Sequence, residues 1–493
     1  MTNKLTVFLP FNGNEFTLHV VEELKKSRLV ENIFLLSPKG LKISPPDCKT
    51  LFIDSLFSLK TLKLISKNTN TDLILFIIKE VLIELCPNAL ERFISVIRDT
   101  NAGIIFSDFY ETKSGVRKAH PLIDYHLGSL RDDFDFGTML FIQSEALSKS
   151  LGNENYYYLY AGLYNSRLLI SENYCIIRIQ EFLYEVFEND LRYSTEKHFD
   201  YVDPKNREVQ REMETAVTGH LKRIGAYLTP EFDLLDSDES DFEYEASVII
   251  PVKDRAKTIS DAVESVLKQK TNFPFNLIVV DNHSKDGTSN ILNNYAVKNK
   301  DIIHLLTDSD YLEIGGCWNE AITNKKCGRY CIQLDSDDIY YNDNILQEVI
   351  DLFRKEKLAM IIGSYKVTDF YLKDQPPGIV AHKEWTPENG RNNALRINGL
   401  GAPRAFYTPL IRKIKFPNVS YGEDYAVCLA ISRNYQIGRI YDPIYICRRW
   451  DGNSDVSLSI EKQNLYNAYK DRLRANEILT RQRLNRTKNN TNF

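Results

Sequence analysis

At 493 residues the chain is too long for one ordinary hydrophobic core, so two or three domains are expected. A hydrophobic content of 43% and a charged content of 26% are ordinary for a globular protein, and a net charge of −5 gives no general reason to expect a nucleic-acid partner. The start lacks the apolar core of a signal peptide, the most apolar run (Leu73–Cys86) is interrupted by Lys79, Glu80 and Glu84, and the eight cysteines show no ligand-like spacing, which together predict a cytoplasmic protein with buried free thiols.

In chain order, LTVFLPFN (Leu5–Asn12) reads as an apolar strand ending in proline. NIFLLSPKG (Asn32–Gly40), LILFIIKEV from Leu73, AGIIFSDFY (Ala102–Tyr110) and SENYCIIRIQEFLY (Ser171–Tyr184) follow as further apolar strand patterns. Asp203–Leu228 predicts an amphipathic helix, with Asp203 as cap, Pro204 in the first turn, and Val209, Met213, Val217, Leu221 and Ile224 along one stripe. The acidic run DLLDSDESDFEYE then reads as a solvated linker.

A second series begins with SVIIPVKD (Ser247–Asp254), again an apolar strand reaching a proline, Pro251. A helix with Ile259, Ala262, Val263, Val266 and Leu267 inside follows, and then the strand Asn276–Val280, which delivers Asp281 at its end. Asp281 suits acceptance from a base imide or ribose hydroxyls, or else a cap or Asx turn of the kind that accounts for Asp286 and Gly287. The triplet Asp308–Asp310 reads as a turn. In GRYCIQLDSDD, Tyr330, Ile332 and Leu334 share one strand face, and Asp335, Asp337 and Asp338 emerge at the C-terminal end, where open α/β sheets bind ligands. Mg²⁺ and Mn²⁺ take oxygen ligands and commonly combine one or two carboxylates with substrate phosphates, so Asp335 and Asp337 suit a metal–diphosphate; the alternative is a capping cluster for the helix near Asn344.

The stretch 374–404, with Trp385, Gly390, Gly399 and Gly401, reads as a mobile acceptor flap. Glu423-Asp424 opens the apolar helix DYAVCLAIS, where the helix dipole favours an ionised carboxylate, as a base or as simple capping. Arg448 and Arg449 offer guanidinium forks for phosphate and Trp450 a ring for a sugar, against the alternative of an exposed basic strand end with a packed Trp. A polar helix after Ser459 ends in a basic tail, a solvated face or at most a peripheral contact with an anionic inner membrane face.

The two series form an internal repeat. SENYCIIRIQEFLY and SRNYQIGRIYDPIY (Ser432–Tyr445) share Ser, Asn, Tyr, Ile, Arg, Ile and the last Tyr in one register. The proline-ended strands, NIFLLSPKG with NLIVVDNHS, and AGIIFSDFY with AMIIGSYKV (Ala359–Val367) recur in the same order. The first series then places Ile78-Lys79-Glu80 at Asp335–Asp337, Leu36 at Asp281, Gly162-Leu163 at Glu423-Asp424, and Phe187, Glu188 and Asn189 at Arg448–Trp450. It keeps the scaffold and lacks the polar groups.

Taken in order, SVIIPVKDR, IVVDNHSKDGT, GGCWNEAI, CIQLDSDD and YGEDYAVCLAI resemble the motifs of glycosyltransferase family 2, over Ala246 to about Leu458. That resemblance implies a nucleotide-diphosphate sugar donor, a uridine one by the family's weight. It implies Mn²⁺ or Mg²⁺ on Asp335 and Asp337, a base held by Pro251 and Asp281, and Asp424, beside Glu423, as general base of an inverting transfer. Trp318 departs from the family, which often carries a basic residue there. The expected fold is α/β, two tandem GT-A domains of Rossmann-like, mostly parallel sheet: 1–200 degenerate, 201–245 a helical and acidic linker, 246–460 catalytic, and 461–493 a C-terminal helix and basic tail. The acceptor is a glycan, lipid-linked or protein hydroxyl, and the first domain serves acceptor, partner or a second copy in a homo-oligomer. A non-catalytic nucleotide-sugar or carbohydrate binding protein is one rival. A sugar nucleotidyltransferase is the other, although the glycine-rich phosphate loop it needs is replaced here by PVKDRAKT.

Overall fold

The computed structural model describes residues 4–40, 48–152, 156–188, 207–235, 241–307, 309, 311–453 and 458–491. The helix start at Asp203-Pro204, the triplet at 236–238, and Asp308 and Asp310 lie outside them. The chain divides into two units, one of Met1–Arg192, Glu208–Tyr227 and Leu458–Phe493, the other of Tyr193–Arg207 and Leu228–Ser457.

The first unit is built on strands β1 (Leu5–Pro10), β2 (Val30–Pro38), β3 (Lys49–Ile53), β4 (Leu73–Ile77), β5 (Leu82–Leu85), β6 (Ile104–Lys113), β7 (Val116–His120), β8 (Met139–Gln143) and β9 (Ile176–Glu188). They lie in the order β3-β2-β1-β4-β8-β6-β9-β5, with β7 on β6. The second unit repeats this with β10 (Ala246–Val252), β11 (Phe275–Asp281), β12 (Ile302–Leu306), β13 (Tyr330–Gln333), β14 (Ile339–Tyr340), β15 (Met360–Asp369), β16 (Asp374–Val380), β17 (Arg404–Tyr407) and β18 (Ile437–Arg449). Its order is β12-β11-β10-β13-β17-β15-β18-β14, with β16 on β15. The first four positions of each sheet are parallel and the rest is mixed, since β8 and β17 run antiparallel to both neighbours. Buried along nearly their whole length, the inner parallel strands β1, β4 and β10 read as continuous apolar runs.

Sheet register aligns the two units residue by residue. Leu5–Phe8 pair with Leu73–Phe76 as Ala246–Ile249 pair with Tyr330–Gln333, which matches Ile78 to Asp335 and, counting on, Glu80 to Asp337. Pro10 lies opposite Leu36 and Pro251 opposite Val280, so the counterpart of Asp281 is Ser37, one residue beyond the expected Leu36. The first unit has turned the remaining polar positions to structure. The Glu80 carboxylate accepts from Asn12 N at 2.8 Å and Asn12 Nδ2 at 2.6 Å, tying the loop after β1. Gly162 is packed so closely that a Cβ there would sit 2.3 Å from Leu59 N.

Two segments expected as linker and tail are parts of the first unit. The helix Arg207–Arg223 sends Glu212 to accept from the backbone N–H groups of Leu159, Tyr160 and Ala161 (3.0, 2.7 and 3.0 Å), at the start of the helix Gly162–Ser171. The C-terminal helix Ile460–Thr491 is no solvated tail: Asp471, Arg474 and Arg481 are fully buried. Asp471 meets Arg474 at 2.6 Å, Ser129 Oγ at 3.2 Å and Arg131 at 3.4 Å, and a Cβ on Gly128 would stand 1.8 Å from the Asp471 carbonyl oxygen. A cut at residue 200 therefore removes the first unit's sheet and strands two of its helices. Asp471→Ala removes the buried carboxylate shared by Arg474 and Arg131, and should destabilise the first unit by about 3–5 kcal/mol in urea unfolding.

Candidate functional site

In the second unit, β13 ends at the cluster expected to carry chemistry. Asp335, Asp337 and Asp338 follow it directly, six or more residues ahead of the helix Ile345–Glu356, whose N-cap is Asn344. The cluster is therefore not that helix's cap. Burial, foremost, and the charges of Asp337 and Asp335 push the Asp338 carboxyl well above the usual carboxylate range. Burial and Asp337 push Asp335 up as well, against Gln333 and Arg404.

Each acid is held by a different element. Asp335 accepts from Gln333 Nε2 at 2.9 Å, and its backbone N–H donates to the buried Tyr445 hydroxyl at 3.0 Å. Asp338 accepts from the Arg448 backbone N–H at 2.7 Å. Asp337 receives Asn453 Nδ2 at 3.1 Å and Trp450 Nε1 at 3.4 Å, with Arg255 Nε at 3.8 Å. All three contacts fall on its Oδ2, leaving Oδ1 without a partner among the described residues. Hard oxygen donors at the end of a parallel strand, with crowded charges that a cation would relieve, fit Mg²⁺ or Mn²⁺. Among the described residues no three His, Cys, Asp or Glu side chains close into a metal cage, so the fit is to an ion that shares its ligands with a diphosphate.

The expected base joins this cluster through residues that the sequence reading did not single out. Gln333 Oε1 accepts from Arg404 N and Nη1 (3.2 and 3.1 Å), and Arg404 Nη2 reaches Asp424 Oδ2 at 2.5 Å. One line of polar contacts thus runs Asp335–Gln333–Arg404–Asp424. Burial opposes the charge on Arg404, but Asp424 first, with Glu423 and Asp335 also contributing, hold it protonated. The helix Glu423–Ser432 has Gly422 at its N-cap position (φ 86°), with both acids in its first turn. Arg404 ends the stretch expected as a flap, yet that stretch is packed: Trp385, Leu395, Arg396 and Leu400 are buried, and Asn392 bonds both backbone groups of Leu228 (3.0 and 2.9 Å).

Other expectations need correction. Asp281 is fully buried at the end of β11 and accepts from Ser284 N (3.0 Å), Ser289 Oγ (2.5 Å) and His304 (3.3 Å). Burial opposes its charge, yet these donors hold it well below the usual carboxylate range, so its carboxylate also shapes the loop after β11. Pro251 stands beside it, opposite Val280. Asp286 makes the expected Asx turn, accepting from Thr288 N at 3.0 Å. Arg448 is buried, with Nη1 on Asp261 at 2.7 Å and Nε on the Asp337 carbonyl; it buttresses the acid loop where a phosphate fork was expected. Arg449 follows, half-buried, opposite Asp369. Trp450 packs against Phe370 (5.4 Å between centroids) while its N–H reaches Asp337. Trp318 stacks on Phe416 at 5.1 Å and is a core residue. Arg255, also missed, donates to the Gly452 carbonyl at 3.2 Å and its backbone N–H to Thr288 Oγ1 at 2.8 Å, tying the loop after β10 to those after β11 and β18.

Residues 247–412 match the family model described as glycosyl transferase family 2. Over 232 residues the chain is 25% identical to the poly(ribitol-phosphate) beta-glucosyltransferase of Bacillus spizizenii, a match covering 46% of this chain and 36% of the relative. Over 210 residues it is 29% identical to an Escherichia coli UDP-Glc:alpha-D-GlcNAc-diphosphoundecaprenol beta-1,3-glucosyltransferase, covering 42% and 77% respectively. Among solved structures, S. aureus TarS 1-349 in complex with UDP-GlcNAc aligns with 48% of this chain and 72% of its own, at 22% identity and a TM-score of 0.37.

The crowding of acids sets a stability prediction. Asp338→Asn keeps an oxygen for the Arg448 N–H and has no charge to bury, so it should raise the urea midpoint of the second unit at pH 7. Because the wild-type carboxyl titrates above its unfolded value, that advantage should shrink as the pH falls through the folded pKa and the wild type takes up its proton.

Proposed function

The second unit being a family 2 glycosyltransferase domain, we propose that the protein transfers a sugar from a nucleotide-diphosphate donor to an acceptor hydroxyl with inversion at the anomeric carbon. The observation that carries this is the line of contacts from the Asp335–Asp338 cluster through Gln333 and Arg404 to Asp424. It joins a place for a donor diphosphate to a carboxylate able to take a proton. Asp335 and Asp337 Oδ1 hold Mn²⁺ or Mg²⁺ with the donor's diphosphate. A cation bound there supplies Lewis-acid neutralisation of the leaving group.

Asp424 accepts the proton of the acceptor hydroxyl as that oxygen attacks the anomeric carbon. Arg404 is a positioning residue: its guanidinium aims Asp424, while Gln333 links this pair to Asp335. The loops after β10 and β11, at Pro251 and Asp281, shape the base pocket, and Arg449 faces the donor phosphates. The donor in this reading is a uridine diphosphate sugar. The acceptor is a glycan, lipid-linked or protein hydroxyl, met in the cytoplasm at the inner face of a membrane. The first unit, its own equivalent positions closed, positions the acceptor or a second copy of the chain.

The donor site is tested by thermal shift with UDP-, GDP-, dTDP- and CMP-sugars, with and without Mn²⁺. One nucleotide series should stabilise the wild type only with the metal, and Asp337→Ala should abolish the effect; no shift with any donor returns the unit to a role without turnover. For the base, Asp424→Asn should keep the donor shift while kcat falls about 10²–10⁴-fold. Arg404→Gln, which breaks the 2.5 Å contact that aims Asp424, should lower kcat while leaving the donor shift in place, and Arg404→Lys should restore part of the rate. Nuclear magnetic resonance of the fresh product reports the anomer, and retention would exclude direct attack.

A further inference from the structure

The C-terminal helix of the first unit sorts its side chains against the usual pattern. Its inner face carries ion pairs, Asp471–Arg474 at 2.6 Å and Glu477–Arg481 at 2.7 Å, with Ile478, all buried. Its outer face carries Leu465 and Leu479, 67% and 55% exposed, together with the exposed Arg472, Arg483 and Arg486. At 100° per residue these five positions fall within about 60° of one another and run for about 30 Å along the axis. Asp471 and Glu477, the carboxylates beyond the helix's first turn, are both turned inward and paired, so from Leu465 onward the outer stripe carries only cations, the exposed Glu461 lying one turn before it. Among the described residues none of the three outer guanidinium groups has an ion pair or hydrogen bond.

Leucines on a globular surface are unremarkable singly, but two of them in register with three unpaired arginines form the pattern of a helix lying in a membrane interface. There the apolar side chains enter the acyl boundary and the arginines reach phosphates. We propose that this face docks on an anionic lipid bilayer, holding the first unit against the membrane surface without crossing it; no helix among the described residues is long and apolar enough to span one. Charge complementarity selects this occupant. A second copy of the chain would bring the same cationic stripe against itself, and a soluble polyanion would engage the arginines but leave both leucines in water. The inference deepens the membrane-side placement in the proposed function, and its test needs neither donor nor acceptor, so its failure leaves the transfer reading untouched.

The full-length protein is sedimented with vesicles of phosphatidylcholine alone, or with about 30% phosphatidylglycerol, at low and high salt. The wild type should bind only the anionic vesicles. Arg472→Gln/Arg483→Gln/Arg486→Gln should weaken binding roughly a hundredfold, at a factor of about five per arginine. Leu465→Ser/Leu479→Ser should leave a weaker association that high salt removes. All five positions are exposed, so both variants should melt as the wild type does. Absence of binding to anionic vesicles, or wild-type binding by the arginine variant, overturns the proposal. So does unchanged binding by the leucine variant with full competition by soluble polyphosphate, which would assign the face to a soluble polyanion.

Discussion

Three carboxylates converge at the end of β13, and the rest of the second unit is arranged around keeping them there. Burial and mutual repulsion drive Asp335 and Asp338 toward protonation, because crowded buried charges are costly unless they are paired. The compensation comes from every neighbouring element. Gln333 stands within β13 itself, Arg404 opens β17, Tyr445 and Arg448 lie on β18, and Asn453 and Trp450 follow it. A cluster so placed is poised for a cation and a diphosphate, because their arrival relieves the repulsion that the protein alone only partly screens.

The first unit shows what the same scaffold does when that constraint is absent. Its strands keep the order and register of the second unit, yet Leu140 stands where Arg404 would be and Ile78 where Asp335 would be. The one surviving carboxylate, Glu80, ties down the loop after β1. Gly162 lets the backbone close on Phe57–Leu59, and Glu212 from the helix Arg207–Arg223 satisfies the N–H groups at the helix start. Without three crowded acids to accommodate, this end of the sheet is closed by local contacts. Shared topology therefore does not carry shared chemistry.

Arg448 and Asp281 illustrate a general hazard in reading sites from residue type. A guanidinium beside acids and a carboxylate at a strand's end have the chemistry of ligand contacts, but the same chemistry makes them good internal partners. Arg448 gives Nη1 to Asp261 and Nε to the Asp337 carbonyl, and Asp281 accepts from three donors of its own loop and β12. Such internal partners show that these residues also build the walls of the site.

What the sequence determined by itself was local or periodic. Apolar runs ending in proline or aspartate placed the strands, the shared register of SENYCIIRIQEFLY and SRNYQIGRIYDPIY disclosed the duplication, and the order of acids after apolar strands located the site. These follow from chain geometry over a few residues, which a sequence carries directly. Only the tertiary structure decided which polar groups meet. Arg404 lies far along the chain from both Gln333 and Asp424, at the end of a stretch whose glycines suggest looseness, and joins them because β13 and β17 are antiparallel neighbours. The basic C-terminal helix looks solvated because composition records its charges but not that Asp471 and Glu477 turn inward to pair with Arg474 and Arg481. Pairing across strands and the choice of a helix's inner face depend on contacts between distant segments, and those exist only once the chain has packed.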